Sequence, residues 1–325
     1  MIHTRGLART FGKGDKAVEA VRGIDMSVGA GEIVGFLGPN GAGKTTTLRM
    51  LTTLLKPTAG EATVVGHSLA NDANGVRKAI GYVPQGHSTE AVLTCMEELV
   101  DQAEMYRMSR AEGRARAAEL IALHDLAGLE DRKVSTLSGG QRRRLEIALG
   151  LVHTPQLIFL DEPTTGLDPQ SRANMWDHVR RLRADFGATV FLTTHYLEEA
   201  DALCDRIMII DQGRIVKEGT PDALKRSIGG DVLTLEVEGD AEAARVAVTS
   251  AITVREAQIS GHTLRVTVEE GNRVIADVIR ALDTAGIALA SISLARPSLD
   301  DVFLTLTGRS LRDDNVGKDS DAASS

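Results

Sequence analysis

The stretch EIVGFLGPNGAGKTTTLRM, residues 32–50, decides the fold of this 325-residue chain. Its first, mostly apolar segment, Glu32–Leu37, predicts a strand, and the residues after the glycine-rich turn predict a helix. The turn, Gly38–Thr45, fits the pattern G-x-x-x-x-G-K-[ST] between a strand and a helix, the context that this phosphate-binding motif requires. Its glycines let backbone N–H groups surround phosphates, Lys44 neutralises the β/γ charge, and the Thr45 hydroxyl suits Mg²⁺. The residues predicted to contact the nucleotide here are Gly38, Pro39, Asn40, Gly41, Ala42, Gly43, Lys44, Thr45 and Thr46.

A second apolar strand ends in two carboxylates. Leu157–Asp161 (LIFLD) places Asp161 at the strand end, where it can orient Mg²⁺, and Glu162 follows at once. A carboxylate facing the γ-phosphate can polarise the attacking water as a general base. An acidic strand end in solvent is the alternative for such a pair alone. The glycine-rich turn upstream favours the catalytic interpretation.

A second glycine turn lies far downstream. In LSGGQ, residues 137–141, Ser138 and the bare amides of Gly139 and Gly140 precede a predicted helix, which makes an anion site. The basic residues that follow, Arg142–Arg144, either contact anions or form a solvated helix face. One chain with two phosphate-binding turns raises the question of which nucleotide the second turn serves.

Composition narrows the class of protein. The length predicts about two domains, and the net charge of −8 argues against nucleic acid as a partner. Apolar runs such as Ile207–Ile210 are too short to cross a bilayer, and the segment MIHTRGLART lacks the apolar region of a secretory signal. Cys95 and Cys204 match no metal or redox spacing, so we expect reduced structural thiols.

The order of strand and helix signals predicts the architecture. It indicates an α/β core with a largely parallel sheet, interrupted by an all-helical insertion between Gln85 and Thr136. The helix after the glycine-rich turn is expected to run to about Leu55. Beyond residue 230 a βαββαβ order predicts a small α+β ferredoxin-like domain, with a terminal helix near residues 299–306. The predicted domains are residues 1–228 and 229–308, followed by a disordered tail at 309–325.

The ordered set of glycine-rich loop, LSGGQ, LIFLDEP, TTGLD and TTH resembles the nucleotide-binding subunit of an ATP-binding cassette (ABC) transporter, over about residues 2–223. The resemblance implies a P-loop NTPase fold with a RecA-like parallel sheet core, an antiparallel β subdomain and a helical signature subdomain. It implies hydrolysis of ATP with Mg²⁺ bound. The resemblance also implies a role for each of several residues. Phe11 would stack on adenine, and Gln85 would contact Mg²⁺ and the membrane subunit. Gly166, Leu167 and Asp168 would form the D-loop that crosses between subunits. His195, the switch residue, would bind the γ-phosphate and act in catalysis with Lys44 and Glu162.

The resemblance also implies an answer to the question of the second turn. The helical insertion carries LSGGQ away from its own P-loop, and in the family two copies face head to tail. A two-fold pair then completes each shared site. The signature residues that would grip the γ-phosphate held by the partner copy are Leu137, Ser138, Gly139, Gly140 and Gln141. The expected location is the cytoplasmic face of the cell membrane, where a separate multi-span permease holds the subunit.

The C-terminal segment ARPSLDDVFLTLTGR, residues 295–309, is similar to drug-export ATPases of the daunorubicin/doxorubicin-resistance type, which implies export of a drug-like or hydrophobic compound. One departure lies at residues 93–99, LTCMEEL, where relatives often read L-T-G-R-E-N-L, and it bears on the contact with the membrane subunit. The alternatives are the ATPase subunit of an importer, which usually needs a binding protein, and a soluble ABC ATPase. Soluble members usually carry two cassettes or a long coiled-coil insertion, and commonly basic patches.

Overall fold

The computed structural model of the chain describes residues 1–86 and 88–308, with the backbone alone at Asp15. The chain divides into two compact units, Met1–Thr220 and a second that begins at Pro221. The predicted disordered tail, residues 309–325, lies outside the described residues. The predicted division between residues 228 and 229 stays a prediction.

The first unit holds ten strands, seven α-helices and two short 3-10 helices (Gly14–Lys16 and Val134–Thr136) among the described residues. The strands are β1 (Ile2–Phe11), β2 (Val18–Val28), β3 (Ile33–Leu37), β4 (Ala59–Val64), β5 (His67–Ser68), β6 (Ile80–Val83), β7 (Leu157–Asp161), β8 (Thr189–Thr194), β9 (Arg206–Asp211) and β10 (Arg214–Gly219). The helices are α1 (Lys44–Leu51), α2 (Ala73–Ala79), α3 (Cys95–Met105), α4 (Arg110–Leu123), α5 (Gly139–Leu151), α6 (Pro169–Phe186) and α7 (Leu197–Leu203).

A six-stranded sheet forms the centre of this unit, in the order β10-β9-β3-β8-β7-β6. All neighbours pair in parallel except the edge strand β10. Every residue of β3, β7 and β8 is buried, as expected for parallel strands covered on both faces. The ring of Phe191 lies 5.5 Å from that of Phe36 and 5.7 Å from that of Phe159, between centroids. The predicted α/β core with a largely parallel sheet is confirmed.

A four-stranded antiparallel sheet, in the order β2-β1-β4-β5, includes the N-terminal residues. In β2 the apolar side chains of Val21, Ile24, Met26 and Val28 are buried, while most of the residues between them are exposed. This alternation, interrupted once near Gly23, is the period that a half-buried strand requires. The antiparallel β subdomain implied by the family resemblance is therefore present.

The helical insertion consists of α3 and α4. Both helices begin with a capping box, in which a serine or threonine hydroxyl accepts from a backbone amide and a glutamate reciprocates. Thr94 and Glu97 form the box of α3. Both residues agree with the family pattern, so the departure at Cys95, Met96 and Glu98 leaves the helix cap in place. The prediction that α1 runs to about Leu55 is wrong. The helix ends at Leu51, and Thr53 takes the left-handed conformation (φ 65°), which a continuing helix excludes.

The second unit confirms the predicted βαββαβ order. A helix, α8 (Pro221–Ile228), precedes it and another follows it. The elements are β11 (Asp231–Glu238), α9 (Ala241–Ala251), β12 (Glu256–Ser260), β13 (Thr263–Val268), α10 (Gly271–Thr284), β14 (Ala288–Ala295) and α11 (Leu299–Thr307). The strands form an antiparallel sheet in the order β12-β13-β11-β14. Leu233, Val248, Val266 and Val278 lie in a core of this unit's own residues, so the ferredoxin-like prediction is confirmed.

Candidate nucleotide site

The glycine-rich loop connects the central strand β3 to helix α1. Gly41 and Gly43 have φ angles of 82° and 106°, a region that favours glycine. A Cβ atom at Gly43 would lie 2.6 Å from the carbonyl oxygen of Ala20, so a larger residue would collide with backbone. Gly43 is also the N-cap of α1 and has no side chain to accept from the first helical amides. Those amides can therefore face an anion.

The Lys44 side chain is buried beneath this loop. Its Nζ donates to the carbonyl oxygens of Gly38 (2.7 Å) and Pro39 (3.1 Å), and lies 3.3 Å from Glu162 Oε1. Burial lowers the pKa of Lys44, and the Glu162 carboxylate opposes that shift. The loop therefore holds a cation at the place where phosphate oxygens would enter.

Glu162 is the centre of a cluster of predicted site residues. Its Oε2 accepts hydrogen bonds from Gln85 Nε2 (2.9 Å) and Thr165 Oγ1 (3.1 Å), and lies 3.1 Å from His195 Nδ1. Burial by itself would raise the pKa of Glu162, but its contacts with His195 and Lys44 outweigh burial and lower that pKa to about 2. Glu162 is therefore a charged carboxylate at neutral pH.

The parallel sheet explains why these residues meet. The glycine-rich loop follows β3, His195 follows β8, Glu162 follows β7, and Gln85 lies just beyond β6. These four strands are neighbours and run in parallel, so their carboxyl ends lie along one edge. Ligands bind at this edge in open α/β sheets.

Asp161 and Thr45 supply oxygen atoms beside this cluster. Asp161 Oδ1 accepts from Thr193 Oγ1 (2.6 Å) and from Thr45 Oγ1 (3.2 Å). Burial raises the pKa of Asp161, and the hydrogen bond from Thr193 counteracts it. Among the described residues no group of three or more His, Cys, Asp or Glu is suited to a metal. Mg²⁺ needs no such group beside phosphates, because it retains water and takes one or two protein carboxylates. One carboxylate and one hydroxyl therefore fit this ion.

The cavity beside the loop has a volume of about 160 Å³ and is lined by residues that include Lys44, Thr45, Gln85 and Glu162. This volume is below the range of roughly 300–1,000 Å³ that encloses a small-molecule ligand. Phe11 is not among its lining residues. The Phe11 ring lies at the end of β1, 39% exposed, with the Arg9 guanidinium 4.7 Å from its centroid. A larger cavity, of about 1270 Å³, lies against the antiparallel sheet, and no residue of the glycine-rich loop is among those described as lining it.

The predicted signature and D-loop residues lie next to each other, at the starts of helices α5 and α6. Ser138 caps α5, where its hydroxyl accepts from the Gln141 amide (3.3 Å) and Gln141 Oε1 accepts from the Ser138 amide (2.9 Å). A Cβ atom on Gly139 would lie 3.9 Å from Leu167. Asp168 caps α6. Of the residues described as lining the loop cavity, none belongs to Leu137–Gln141. The structure therefore places the predicted signature beside the predicted D-loop, and the cavity at the P-loop is lined by other residues.

Arg143 is a residue of this region whose structural role the sequence did not predict. It belongs to the basic run after the signature, yet its side chain is buried and bonds to backbone carbonyls behind the site. The available signal was an opposite charge, Glu146, three residues further along a predicted helix. The interpretation of this run as a solvated helix face is wrong at Arg143.

A glycine-rich loop over a buried lysine, beside a strand-end Asp-Glu pair, defines a P-loop nucleoside-triphosphatase site. Along residues 1–86 and 88–308, no helix has the length and apolar character that spanning a bilayer requires.

Comparisons with known proteins agree with this class. The family model "ABC transporter" matches residues 21–165, and "ATP-binding protein DrrA1-3-like, C-terminal domain" matches residues 219–307. The chain is 45% identical to the daunorubicin/doxorubicin resistance ATP-binding protein DrrA of Streptomyces peucetius, covering 94% of this chain and 92% of that protein. It is 43% identical to the Nod factor export ATP-binding protein I of Burkholderia orbicola, covering 92% and 95%. Among solved structures, the dimeric ATP-binding cassette MJ0796, in a post-hydrolysis state bound to ADP and Pi, matches 68% of this chain and 98% of that chain, with a TM-score of 0.62 and 29% identity.

The chain belongs to the ATP-binding subunits of ABC transporters. It carries the ABC ATPase fold and is an ATP hydrolase of that family. The predicted family, fold class and enzyme class are confirmed.

Proposed function

We propose that this subunit powers the export of a drug-like or hydrophobic compound through a separate membrane-spanning partner. The observation that carries the ATPase role is the position of Glu162, in contact with Lys44, Gln85 and His195 at one edge of the sheet. Export rather than import is supported by the relatives, which are named for drug resistance and Nod factor export. The C-terminal unit supports the same choice, because it matches the DrrA1-3-like domain.

The loop residues Gly38–Thr46 would hold the phosphates of ATP through backbone amides, with Lys44 against the β/γ oxygens. Thr45 and Asp161 would hold Mg²⁺, which would neutralise phosphate charge. Gln85 donates to Glu162 through Nε2, which leaves its Oε1 as the atom that would contact the metal. Phe11 would stack on adenine from the rim of the site, outside the loop cavity.

Glu162 would act as the general base. A base must be within hydrogen-bond reach of the attacking water and must be unprotonated at working pH. A pKa near 2 keeps Glu162 ionised, and its position beside Lys44 places it near the γ-phosphate. His195, whose Nδ1 lies 3.1 Å from Glu162 Oε2, would hold the γ-phosphate while the carboxylate engages water.

Two copies of the chain would complete each site. The loop cavity is too small for a whole nucleotide, and Ser138–Gly140 are not among the residues described as lining it. A head-to-tail pair would bring these amides over the ATP held by the other copy. The dimeric state of the MJ0796 cassette supports this arrangement. A multi-span permease would hold the pair at the cytoplasmic face of the membrane, and the net charge of −8 gives no reason to expect nucleic acid there.

Glu162→Gln tests this function. The amide keeps the size of the side chain but cannot accept the proton, so hydrolysis should fall by about 10²–10⁴. ATP binding should survive, and gel filtration with Mg·ATP should show a dimer. Adding Ser138→Arg puts bulk and charge where the phosphate of the partner site would lie, and this double variant should bind ATP yet elute as a monomer. An ATP-dependent dimer that persists in the double variant would refute the shared site.

The export role needs its own measurement. A strain that lacks this subunit should gain sensitivity to an exported compound, and the wild-type chain should restore resistance while Glu162→Gln should not. Cell fractionation should find the subunit in the membrane fraction only when the permease is present. If the fraction of the subunit found with the membrane is the same with and without the permease, the soluble ABC ATPase alternative is favoured.

A further inference from the structure

The guanidinium of Arg143, in helix α5, is buried and bonded on several sides. Nε donates to the carbonyl oxygen of Pro163 (3.0 Å), Nη2 to that of Asp161 (3.2 Å), and Nη1 to that of Pro84 (2.7 Å). Nη1 also donates to Glu146 Oε2 (2.8 Å), which balances the buried charge. Three of these acceptors are backbone carbonyls and the fourth is Glu146, and none is a group assigned above to phosphate or metal.

Two of the carbonyls belong to the residues on either side of Glu162. Glu162 itself has a φ angle of 46°, a left-handed conformation that costs energy for any residue with a Cβ atom. Such strain persists only where the surroundings fix the backbone. The Glu162 amide is fixed by Thr193, through its carbonyl oxygen and its hydroxyl, both at 3.1 Å. Arg143 fixes the carbonyl groups of the residues before and after Glu162.

The third carbonyl, that of Pro84, immediately precedes Gln85. The Gln85 amide donates to the Glu162 carboxylate, so one guanidinium fixes the backbone of both members of this pair. Its planar, rigid arrangement of five N–H donors suits several acceptors in different directions. An ammonium group on a flexible stem cannot reproduce that arrangement.

We propose that Arg143 is a positioning residue, which holds Glu162 and Gln85 of its own chain in the geometry for hydrolysis. In the head-to-tail pair, the signature helix of a chain serves the ATP held by the partner copy, whereas Glu162 serves the ATP held by its own chain. Arg143 therefore connects an element of one nucleotide site to the carboxylate of the other. This inference rests on the proposed role of Glu162 as general base. It assigns Arg143 no contact with ATP.

Arg143→Lys keeps the positive charge and removes the planar, rigid set of N–H donors. We expect kcat for ATP hydrolysis to fall 10- to 100-fold, the effect of a small misplacement of a reacting group, while KM for ATP changes less than about three-fold. The matched control is Arg142→Lys, one position earlier, where the Arg142 guanidinium donates to the Val134 carbonyl outside the site. Its kcat should stay within about two-fold of wild type. Far-UV circular dichroism checks folding. If the lysine variant does not fold, Arg143→Gln combined with Glu146→Gln, which removes both charges of the buried pair, replaces it. A normal kcat in the folded variant would overturn the proposal.

A mixing experiment separates positioning from general packing. Subunits with Glu162→Gln have a working signature but no base, and subunits with Ser138→Arg have a base but no signature. Neither should hydrolyse ATP alone, and their mixture should regain one working site per pair. Arg143→Lys placed beside the intact Glu162 should reduce this activity about 10-fold or more. The same substitution placed beside Glu162→Gln should leave it within about three-fold.

Equal losses in the two arrangements would overturn the proposal, since they would indicate disturbance of the signature helix as a whole. A loss only beside Glu162→Gln would overturn it too, in favour of a role in presenting Ser138. Failure of the unmodified mixture to hydrolyse ATP would refute the shared site of the proposed function instead. In that case kcat of the Arg143→Lys single variant still decides the positioning role.

Discussion

At the scale of single residues, charge and burial conflict at the nucleotide site. Lys44 and Glu162 are both about 95% buried, which disfavours either charge alone. Their contact, together with His195, stabilises Glu162 in the ionised form. A buried pair of this kind adds little to stability by itself. It is better explained as a set of charges already in place for phosphate and water.

Phe11→Ala tests the adenine contact. Stacking of a base on an aromatic ring contributes roughly 1–3 kcal/mol, so KM for ATP should rise about 10-fold while kcat changes little. Phe11→Trp should retain the wild-type KM. The control is Val18→Ala, because Val18 pairs with Phe11 across β1 and β2 and is also exposed. An unchanged KM in Phe11→Ala would remove Phe11 from the site.

His124, at the end of α4, predicts a pH-dependent stability. It is buried, and among the described residues neither ring nitrogen has a hydrogen-bond partner. Burial, followed by the charge of nearby His178, lowers its pKa from 6.5 to about 3. Between these values the unfolded chain binds the proton and the folded chain does not, so stability falls as pH falls.

His124→Phe should remove this dependence. Between pH 7.5 and 4.5 the wild type should lose about 2–3 kcal/mol more free energy of unfolding than the variant. Urea unfolding followed by the fluorescence of Trp176, the single tryptophan of the chain, reports on the first unit. His3→Gln, on an exposed histidine of the same unit, should keep the wild-type dependence. Parallel pH profiles for wild type and His124→Phe would contradict the prediction.

At the scale of elements, the helical insertion depends on its caps. The hydroxyl of Ser109 accepts from the Glu112 amide (3.3 Å), and Glu112 Oε2 accepts from the Ser109 amide (2.8 Å). The corresponding box of α3 uses Thr94 and Glu97. These local signals explain why helices α3 and α4 begin where they do.

Ser109→Ala should lower the free energy of unfolding by about 1 kcal/mol, the usual contribution of an N-cap hydroxyl. Ser109→Asp, which also accepts from the helix amides, should stay close to wild type. Urea unfolding of both variants provides the measurement. Neither substitution lies in the phosphate loop, so the affinity for ATP should not change. A loss of stability in Ser109→Asp equal to that in Ser109→Ala would contradict the role of Ser109 as a helix cap.

At the scale of the whole molecule, two units with separate cores share the chain. Each has its own cluster of buried apolar side chains, one around Phe36 and Phe191 and the other around Leu233 and Val266. A unit with its own core can fold alone. The ATPase machinery named above lies entirely in Met1–Thr220.

Truncation after Thr220 should therefore leave a cooperatively folded protein whose ATP affinity is within about three-fold of the full chain. We expect the ATP-dependent dimer of Glu162→Gln to be weaker in the truncated form, because the second unit is expected to stabilise the pair of subunits. Gel filtration over a range of protein concentrations measures this. Equal dimerisation and full restoration of resistance by the truncated wild-type chain would make the second unit a passive appendage.

The sequence by itself determined the features that depend on neighbouring residues. The loop around Lys44 is recognisable because phosphate binding needs glycines, a lysine and a hydroxyl at fixed spacing between a strand and a helix. The βαββαβ order after residue 230 follows from periods of two and 3.6 residues. Asp161 and Glu162 could be predicted because they end an apolar strand.

Only the tertiary structure decided which residues, far apart in sequence, contact the same carboxylate or the same guanidinium. Gln85 and Glu162 are 77 positions apart, and they meet because β6 and β7 are parallel neighbours. Arg143 looked like one charge in a basic run until packing buried it against three carbonyls. Local propensity is set by the residues within a turn or two, whereas burial and partner choice are set by whole strands and helices that pack from far along the chain.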